Sequence, residues 1–313
     1  MDSESTVVVG HTRPDADSVC SAIAFAALKS AEGTPTTPLI QGPINAESEY
    51  LLERFEVSVP EERRTVGDYD VILVDHSERD QAPEDLSPDQ LRGIVDHHRI
   101  GDLQSSRPAF YFADVVGCTA TLIHELAERR EVSLDRSTRG LMLGAILSDT
   151  MLLASPTTTD RDRDASAALA ESLAVDREDF GQKQFEAKST VGSLPPSEAL
   201  KGDLKVYDTS HGAVAIGQIE VADSEAILTE KGAYIEAMEQ LQDEGDYHGV
   251  VLLVTDIPAK GSHVLVVSTD DSAYESALDI TLSDRSQFVD GLLSRKKQVV
   301  PPLLEAFGSS KLT

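Results

Sequence analysis

Three short apolar runs in the first third of the chain each end in acid and imidazole. Val7-Val8-Val9-Gly10 runs into His11-Thr12-Arg13-Pro14-Asp15-Ala16-Asp17, Val71-Ile72-Leu73-Val74 into Asp75-His76-Ser77-Glu78, and Gly93-Ile94-Val95 into Asp96-His97-His98. Runs with no polar residue on either face read as strands of a parallel sheet that is covered on both sides. Ligands of such sheets bind beyond the carboxyl ends of the strands. The three tips therefore converge on one crevice.

The surrounding pattern supports this layout. Strands are expected at Thr6–Val9, Thr37–Gln41, Val71–Val74 and Gly93–Val95, with helices over Ser18–Lys29 and Glu47–Phe55. From Thr119 the reading is almost all helix, in segments Thr119–Arg130, Arg136–Leu147, Asp160–Leu173 and Arg177–Phe185. The stretch KSTVGSLPPSE then shifts to Ser, Gly and Pro, and Pro195-Pro196 is read as unable to sit inside an element. The expected division is an N-terminal metal-binding domain over residues 1–188, a linker over 189–197 and a C-terminal substrate-binding domain over 198–313. In the last part strands fit Leu204–Tyr207, Ala213–Glu220, Gly249–Thr255 and His263–Ser268, with a helix over Ser224–Gln242. The fold class is α/β: a doubly wound parallel sheet with helices on both faces, plus a smaller α/β domain, with the active site between them.

Several carboxylates in one crevice repel one another and need a cation. Asp149, in AILSDT at the end of an apolar helix, is a fourth contributor. A mixed carboxylate and imidazole set suits a borderline-to-hard divalent ion such as Mn²⁺, and two ions sharing a carboxylate suit attack on phosphorus. Taken singly the pieces have plain readings. Asp17 or Ser18 serves equally as a helix N-cap, and a lone strand-end Asp is by default a turn residue. Three tips with the same chemistry, and the pair His97-His98, point to a site instead. His124, His211, His248 and His263 have no such setting and read as surface or hydrogen-bonded residues.

Charge narrows the partners. Asp and Glu number 55 against 27 Lys and Arg, a net charge of −28. That excess argues against nucleic acid, because neutralising phosphates takes a basic face. An evenly acidic surface with only ten lysines is also what keeps a protein soluble in concentrated salt. Two of those lysines fall in Ser294-Arg295-Lys296-Lys297, the only run of three basic residues, which reads as an anion clamp. Cys20 and Cys118 form no metal or secreted framework, the start MDSESTVVVG is no signal peptide, and no run approaches a membrane span. A cytoplasmic protein with no membrane partner is expected.

Together these residues resemble the DHH phosphoesterase superfamily, and within it family II inorganic pyrophosphatase. The resemblance runs through GHTRPDADSVCSAIAFA, LVDHSE, VDHH, AILSDTMLLASPT and SRKKQVVPPL, and spans nearly the whole chain. It implies that His11, Asp15 and Asp75 hold one metal, and that Asp17, Asp75, His97 and Asp149 hold the other, with Asp75 bridging. It implies that His98 lies at the substrate, and that Arg295, Lys296 and, from a shorter match, Lys205 bind phosphate. Many members have DHNE where this chain has Ser77 in DHSE. The implied reaction is hydrolysis of pyrophosphate to two orthophosphates by a metal-bridged hydroxide at a Mn²⁺ (or Co²⁺) pair, with Mg²⁺ accompanying the substrate. A homodimer is implied by the same analogy. The alternatives are an exopolyphosphatase or another DHH-type phosphodiesterase, and a metal- or phosphate-sensing module without turnover.

Overall fold

The structure is a computed structural model that describes residues 6–188 and 194–308. The chain divides into two compact units, Met1–Lys188 and Ser189–Thr313.

The first unit opens with β1 (Thr6–Val9), α1 (Ala16–Ala31), β2 (Thr36–Ile40), α2 (Ala46–Arg54) and β3 (Glu61–Glu62). β4 (Asp70–Val74), β5 (Leu91–Asp96) and β6 (Phe110–Ala113) complete the sheet. Helices α3 (Thr119–Arg129), α4 (Arg136–Asp149), α5 (Asp160–Leu173) and α6 (Arg177–Lys188) follow. The strand order is β3-β2-β1-β4-β5-β6 and every pairing is parallel. The order therefore reverses between β1 and β4, the place where open sheets of this kind bind ligands.

Alternate side chains of each strand serve different cores. Val8, Ile72, Val74 and Val95 pack into a large cluster with residues of α1 to α6. Val7, Val9, Leu39, Val71, Leu73 and Ile94 point the other way, against Val66, Ala82 and Leu86. Among the described residues that second face, where the sequence reading also expects helices, carries one helical turn, the 3₁₀ segment Arg79–Gln81, and otherwise connecting chain. Gly10 is required where β1 meets α1, because a Cβ there would stand 2.0 Å from the Ser18 hydroxyl and 2.8 Å from its carbonyl oxygen. The first turn of α1 is thereby drawn tight against the strand tip.

The second unit comprises α7 (Pro196–Gly202), β7 (Leu204–Thr209), β8 (Gly212–Val221), α8 (Glu225–Thr229), α9 (Lys231–Gly245), β9 (Gly249–Asp256), β10 (Gly261–Ser268), α10 (Asp271–Leu278), β11 (Ser286–Asp290) and α11 (Val300–Phe307). Its sheet runs β11-β10-β9-β8-β7, with β8–β9 parallel and the other pairs antiparallel. Ala215, Val250, Leu252 and Leu265 pack with Ala199, Leu200, Tyr234 and Met238 on one face. Val214, Val251, Leu253 and Val264 pack with Tyr274, Val299 and Leu303 on the other.

One proline reading is corrected. Pro196 is not outside an element but the first residue of α7, and Pro301-Pro302 lies in the first turn of α11. The first turn of a helix has no intrahelical use for its N–H groups, so proline is tolerated there. Residues 189–193 of the expected linker lie outside the described residues. The single helix expected over Ser224–Gln242 is two, divided at Glu230.

Candidate metal centre

The tips of β1, β4 and β5 do meet, and each brings its acid or imidazole into one cluster. Asp75 sits directly after β4 with φ +64, a left-handed conformation that Asp adopts more readily than most residues. Its backbone N–H still donates to Val95 O (2.9 Å), so the turn keeps the β4–β5 register while swinging the carboxylate inward. Asp75 Oδ2 lies 3.4 Å from His11 Nε2, and Oδ1 lies 3.4 Å from His97 Nε2. One oxygen thus faces each imidazole.

Asp15, not Asp17 or Ser18, caps α1: its Oδ1 accepts from Ser18 N (2.9 Å) while Oδ2 stands 3.5 Å from His11 Nε2. Asp17 is fully buried in the first helical turn. Its Oδ1 accepts from Ser21 Oγ (2.6 Å) and Ala120 N (3.2 Å), and Oδ2 accepts from Thr119 N (2.6 Å). Asp149 ends α4 and reaches to 3.5 Å from His97 Nε2.

His97 Nδ1 lies 3.1 Å from Val116 O. A carbonyl only accepts, so Nδ1 carries a proton and Nε2 is the nitrogen left to face the carboxylates. That Nε2 is buried without a hydrogen-bond partner, and it faces Asp17, Asp75 and Asp149 at 3.4–3.9 Å. His98 is more exposed; its Nδ1 and its backbone N–H both meet Asp96 Oδ1 at 3.0 Å. His76 turns away, with Nδ1 on Val74 O at 2.9 Å, and burial pushes its pKa down to about 4.

Donor atoms of His11, Asp15 and Asp75 all lie within 4.8 Å of one another, as do those of Asp17, Asp75, His97 and Asp149, and those of Asp75, His97 and His98. Separations of 3.4–3.9 Å are too long for hydrogen bonds but match donors arranged around one ion at bonds of roughly 2.1 Å. The ionisation pattern agrees. Burial, reinforced by the Asp75 charge, pushes Asp17 up to about 7, and burial with Asp17 and Asp15 pushes Asp149 well above the carboxylate range. Burial opposes the charge on His11 but is outweighed by Asp15 and Asp75, which hold it up to about 12. His97 is raised likewise, against burial, chiefly by Asp75. Asp75 itself is held well below its usual range, against burial, by the two imidazoles. The cluster keeps protons where cations are needed, and divalent ions would displace them.

In the second unit, Lys205 is exposed on β7, opposite Ile216 of β8. Lys296 is exposed too, and neither lysine has a hydrogen bond or ion pair among the described residues. Arg295 differs. Its Nη1 donates to Asp203 O (2.6 Å) and Ile216 O (3.2 Å), and its Nη2 to Asp203 Oδ1 (2.9 Å). Arg295 and Lys205 are therefore neighbours, but the arginine fork is occupied within the unit. The sequence reading missed Thr119, whose hydroxyl donates to Asp75 Oδ1 (3.0 Å) and whose N–H caps Asp17. Its only signal was its place at the start of a helix. His124, His211, His248 and His263 enter none of the three donor groups.

Comparison with known proteins gives the family of the chain. Residues 5–148 match the DHH family, N-terminal domain, and residues 182–306 the DHHA2 domain. The chain is 40% identical over 312 residues to a manganese-dependent inorganic pyrophosphatase of Methanocaldococcus jannaschii, covering 96% of this chain and 98% of that one. A protein of the same name from Methanothrix thermoacetophila is 37% identical, with 97% and 99% covered. Among solved structures, one titled as a family II inorganic pyrophosphatase of Methanococcus jannaschii superimposes with TM-score 0.74 at 39% identity, over 96% of this chain and 99% of that. An exopolyphosphatase-related protein of Bacteroides fragilis shares only the fold, at TM-score 0.52 and 13% identity, over 97% of this chain and 92% of that. With identity of this order sustained from end to end, the chain belongs to the manganese-dependent, family II inorganic pyrophosphatases.

Proposed function

We propose that the protein hydrolyses inorganic pyrophosphate to two orthophosphates at a pair of divalent cations, Mn²⁺ or Co²⁺, with Mg²⁺ accompanying the substrate. The observation that carries this is Asp75, whose two oxygens face two separate donor sets. His11, Asp15 and Asp75 would hold one ion, and Asp17, Asp75, His97 and Asp149 the other. When bound, such a pair supplies positive charge for phosphoryl oxygens and lowers the pKa of water into the neutral range.

The chain's own groups do the rest. Val116 O fixes the His97 tautomer and so presents Nε2 as a donor. Asp96 holds His98 Nδ1, leaving Nε2 to give a proton or hydrogen bond to the departing phosphate. Lys205, Lys296 and Arg295 offset charge on the two phosphoryl groups. Two buried free cysteines suit a reducing cytoplasm, and among the described residues no helix is long and apolar enough to cross a membrane. A homodimer fits the outer strand β6, which exposes Phe110 and Tyr111. The acidic surface disfavours nucleic acid.

Phosphate release from pyrophosphate, long-chain polyphosphate and a dinucleotide, each with Mn²⁺, tests the reading. Pyrophosphate is expected to be the best substrate, and its being the poorest would overturn the assignment. Asp75→Asn keeps the left-handed turn and the size of the side chain, and is expected to abolish turnover and weaken both ions.

A further inference from the structure

Three of the candidate ligands are held by one short stretch of chain. Val116 O receives His97 Nδ1, Thr119 N and Ala120 N cap Asp17, and the Thr119 hydroxyl donates to Asp75 Oδ1. All these contacts fall on the second donor set. Asp75 Oδ1 is the oxygen on the His97 side, whereas Oδ2, on the His11 side, has no contact with this stretch. The stretch also packs on the residue after Asp149: a Cβ on Gly117 would stand 2.7 Å from Thr150 Cγ2. Helix α3 has no side-chain cap of its own to fix its start.

What fixes it is Asp162, fully buried near the start of α5. Its Oδ2 accepts from Gly117 N (2.8 Å), Thr159 N (2.7 Å) and Thr159 Oγ1 (2.7 Å), and its Oδ1 accepts from Thr121 Oγ1 (2.7 Å). A carboxylate away from water survives only when donors satisfy it, and here four do. They come from the stretch before α3, from α3 itself and from the cap of α5. Asp162 therefore ties the chain that orients Asp17, Asp75 Oδ1 and His97 to a separate helix.

We infer that Asp162 is a positioning residue for one metal of the pair: it sets the affinity of the Asp17, Asp75, His97 and Asp149 site and leaves the His11, Asp15 and Asp75 site nearly untouched. This rests on the two-ion reading above. Outer groups that orient ligands act on metal affinity by about 10- to 100-fold when lost.

The experiment is a Mn²⁺ binding isotherm on chelator-stripped full-length protein, following free Mn²⁺ by electron paramagnetic resonance, with urea unfolding measured in chelator. Wild type is expected to bind two ions. Asp162→Ala is expected to weaken one binding class by at least about 10-fold and the other by less than about 2-fold. Asp162→Asn is expected to restore most of the loss, since its amide oxygen still accepts three donors and the Thr121 hydroxyl can turn to accept from the amide. If Asp162→Ala does not fold, Thr121→Val removes one bond, and a loss of about 3-fold in the same class is expected. Two classes weakened equally, or neither shifted, would overturn the inference while leaving the two-ion reading standing. A wild type that does not take up two ions would instead bring down that reading.

Discussion

Arg295→Lys separates two jobs that a positive charge at this position can hold. The guanidinium spends its fork on Asp203 O, Ile216 O and Asp203 Oδ1, and only 11% of the side chain is exposed. Lysine carries one nitrogen on a flexible stem and cannot reach all three acceptors in the same geometry. A hydrogen bond from a charged donor contributes about 1.5–3 kcal/mol. The Asp203 carboxylate is 52% exposed, so its share is screened and amounts to about 1 kcal/mol or less. The two carbonyl bonds carry the remainder, and lysine keeps one of them. The expected loss is therefore about 2 kcal/mol, which urea unfolding reads as a midpoint shift of about 1 M.

The control is Lys296→Ala. Lys296 is exposed and has no partner among the described residues, so its loss is expected to change stability by less than about 0.5 kcal/mol while raising KM for pyrophosphate. Both variants are assayed for phosphate release and unfolded in urea without substrate. If Arg295→Lys leaves the midpoint within about 0.2 M of wild type, the internal bonds do not hold the unit and the reasoning fails.

Above pH 6.5, His11, held up to about 12 by Asp15 and Asp75 against burial, and His97, raised likewise, bind more protons folded than unfolded. Their stabilisation is full below pH 6.5 and is lost as pH climbs toward the folded values, while His76, lowered to about 4, acts only below 6.5. Chelator-stripped protein should lose on the order of 1 kcal/mol per group per pH unit between pH 7 and 9, and saturating Mn²⁺ should remove that slope; a flat Tm profile in chelator would contradict the cluster's charge state. Gly101→Ala places a Cβ 2.0 Å from Ser77 O, a backbone atom that cannot yield cheaply. It should cost about 1–3 kcal/mol and reduce turnover, because the loop it displaces begins with His97 and His98, and a variant with wild-type urea midpoint and rate would show that the loop yields freely. Finally, a surface with net charge −28 should gain stability as KCl rises from about 0.1 to 2 M, and a Tm independent of KCl would leave the acidity without that explanation.

The first unit was legible where local chemistry decides structure. Val71–Val74 read as a doubly buried strand, and the helix expected over Arg136–Leu147 is α4, whose cap Asp135 accepts from Thr138 N. What escaped was set by distant contacts. Strand β6 is an edge with Phe110 and Tyr111 exposed; the aromatics of FYFA favour a strand, but the run is short and has no alternation of apolar and polar residues to mark it. α10, β11 and α11 share a core with strands up to about 90 residues away, which no local period records. Within the site, the six expected ligands are brought together, because each lies at an element's end and its own type announces it. Thr119 and Asp162 announce less: apart from Thr159, three residues before Asp162, these partners lie 41 to 102 residues off, and only the folded chain brings them near. Arg295 shows the converse case, since a local motif named its chemistry but not its engagement with Asp203.

Buried carboxylates bring the fold and the site into one argument. Asp17, Asp75, Asp96 and Asp162 are each at most 2% exposed, and an isolated charge in such a place costs several kcal/mol. A buried carboxylate is made tolerable by hydrogen-bond donors, by a proton or by a cation. Asp162 takes the first course with four donors, and Asp96 leans on His98. Asp17 has three donors, yet burial and Asp75 still push it up to about 7, so donors alone do not settle it. Asp75 accepts one hydroxyl, from Thr119, and is held in its charged form chiefly by His11 and His97. Ions at this centre would release both imidazoles from that duty and make them ligands. Metal affinity and the stability of the first unit are then two readings of one free energy, and a change that weakens either site should lower the Tm measured in Mn²⁺ more than the Tm measured in chelator.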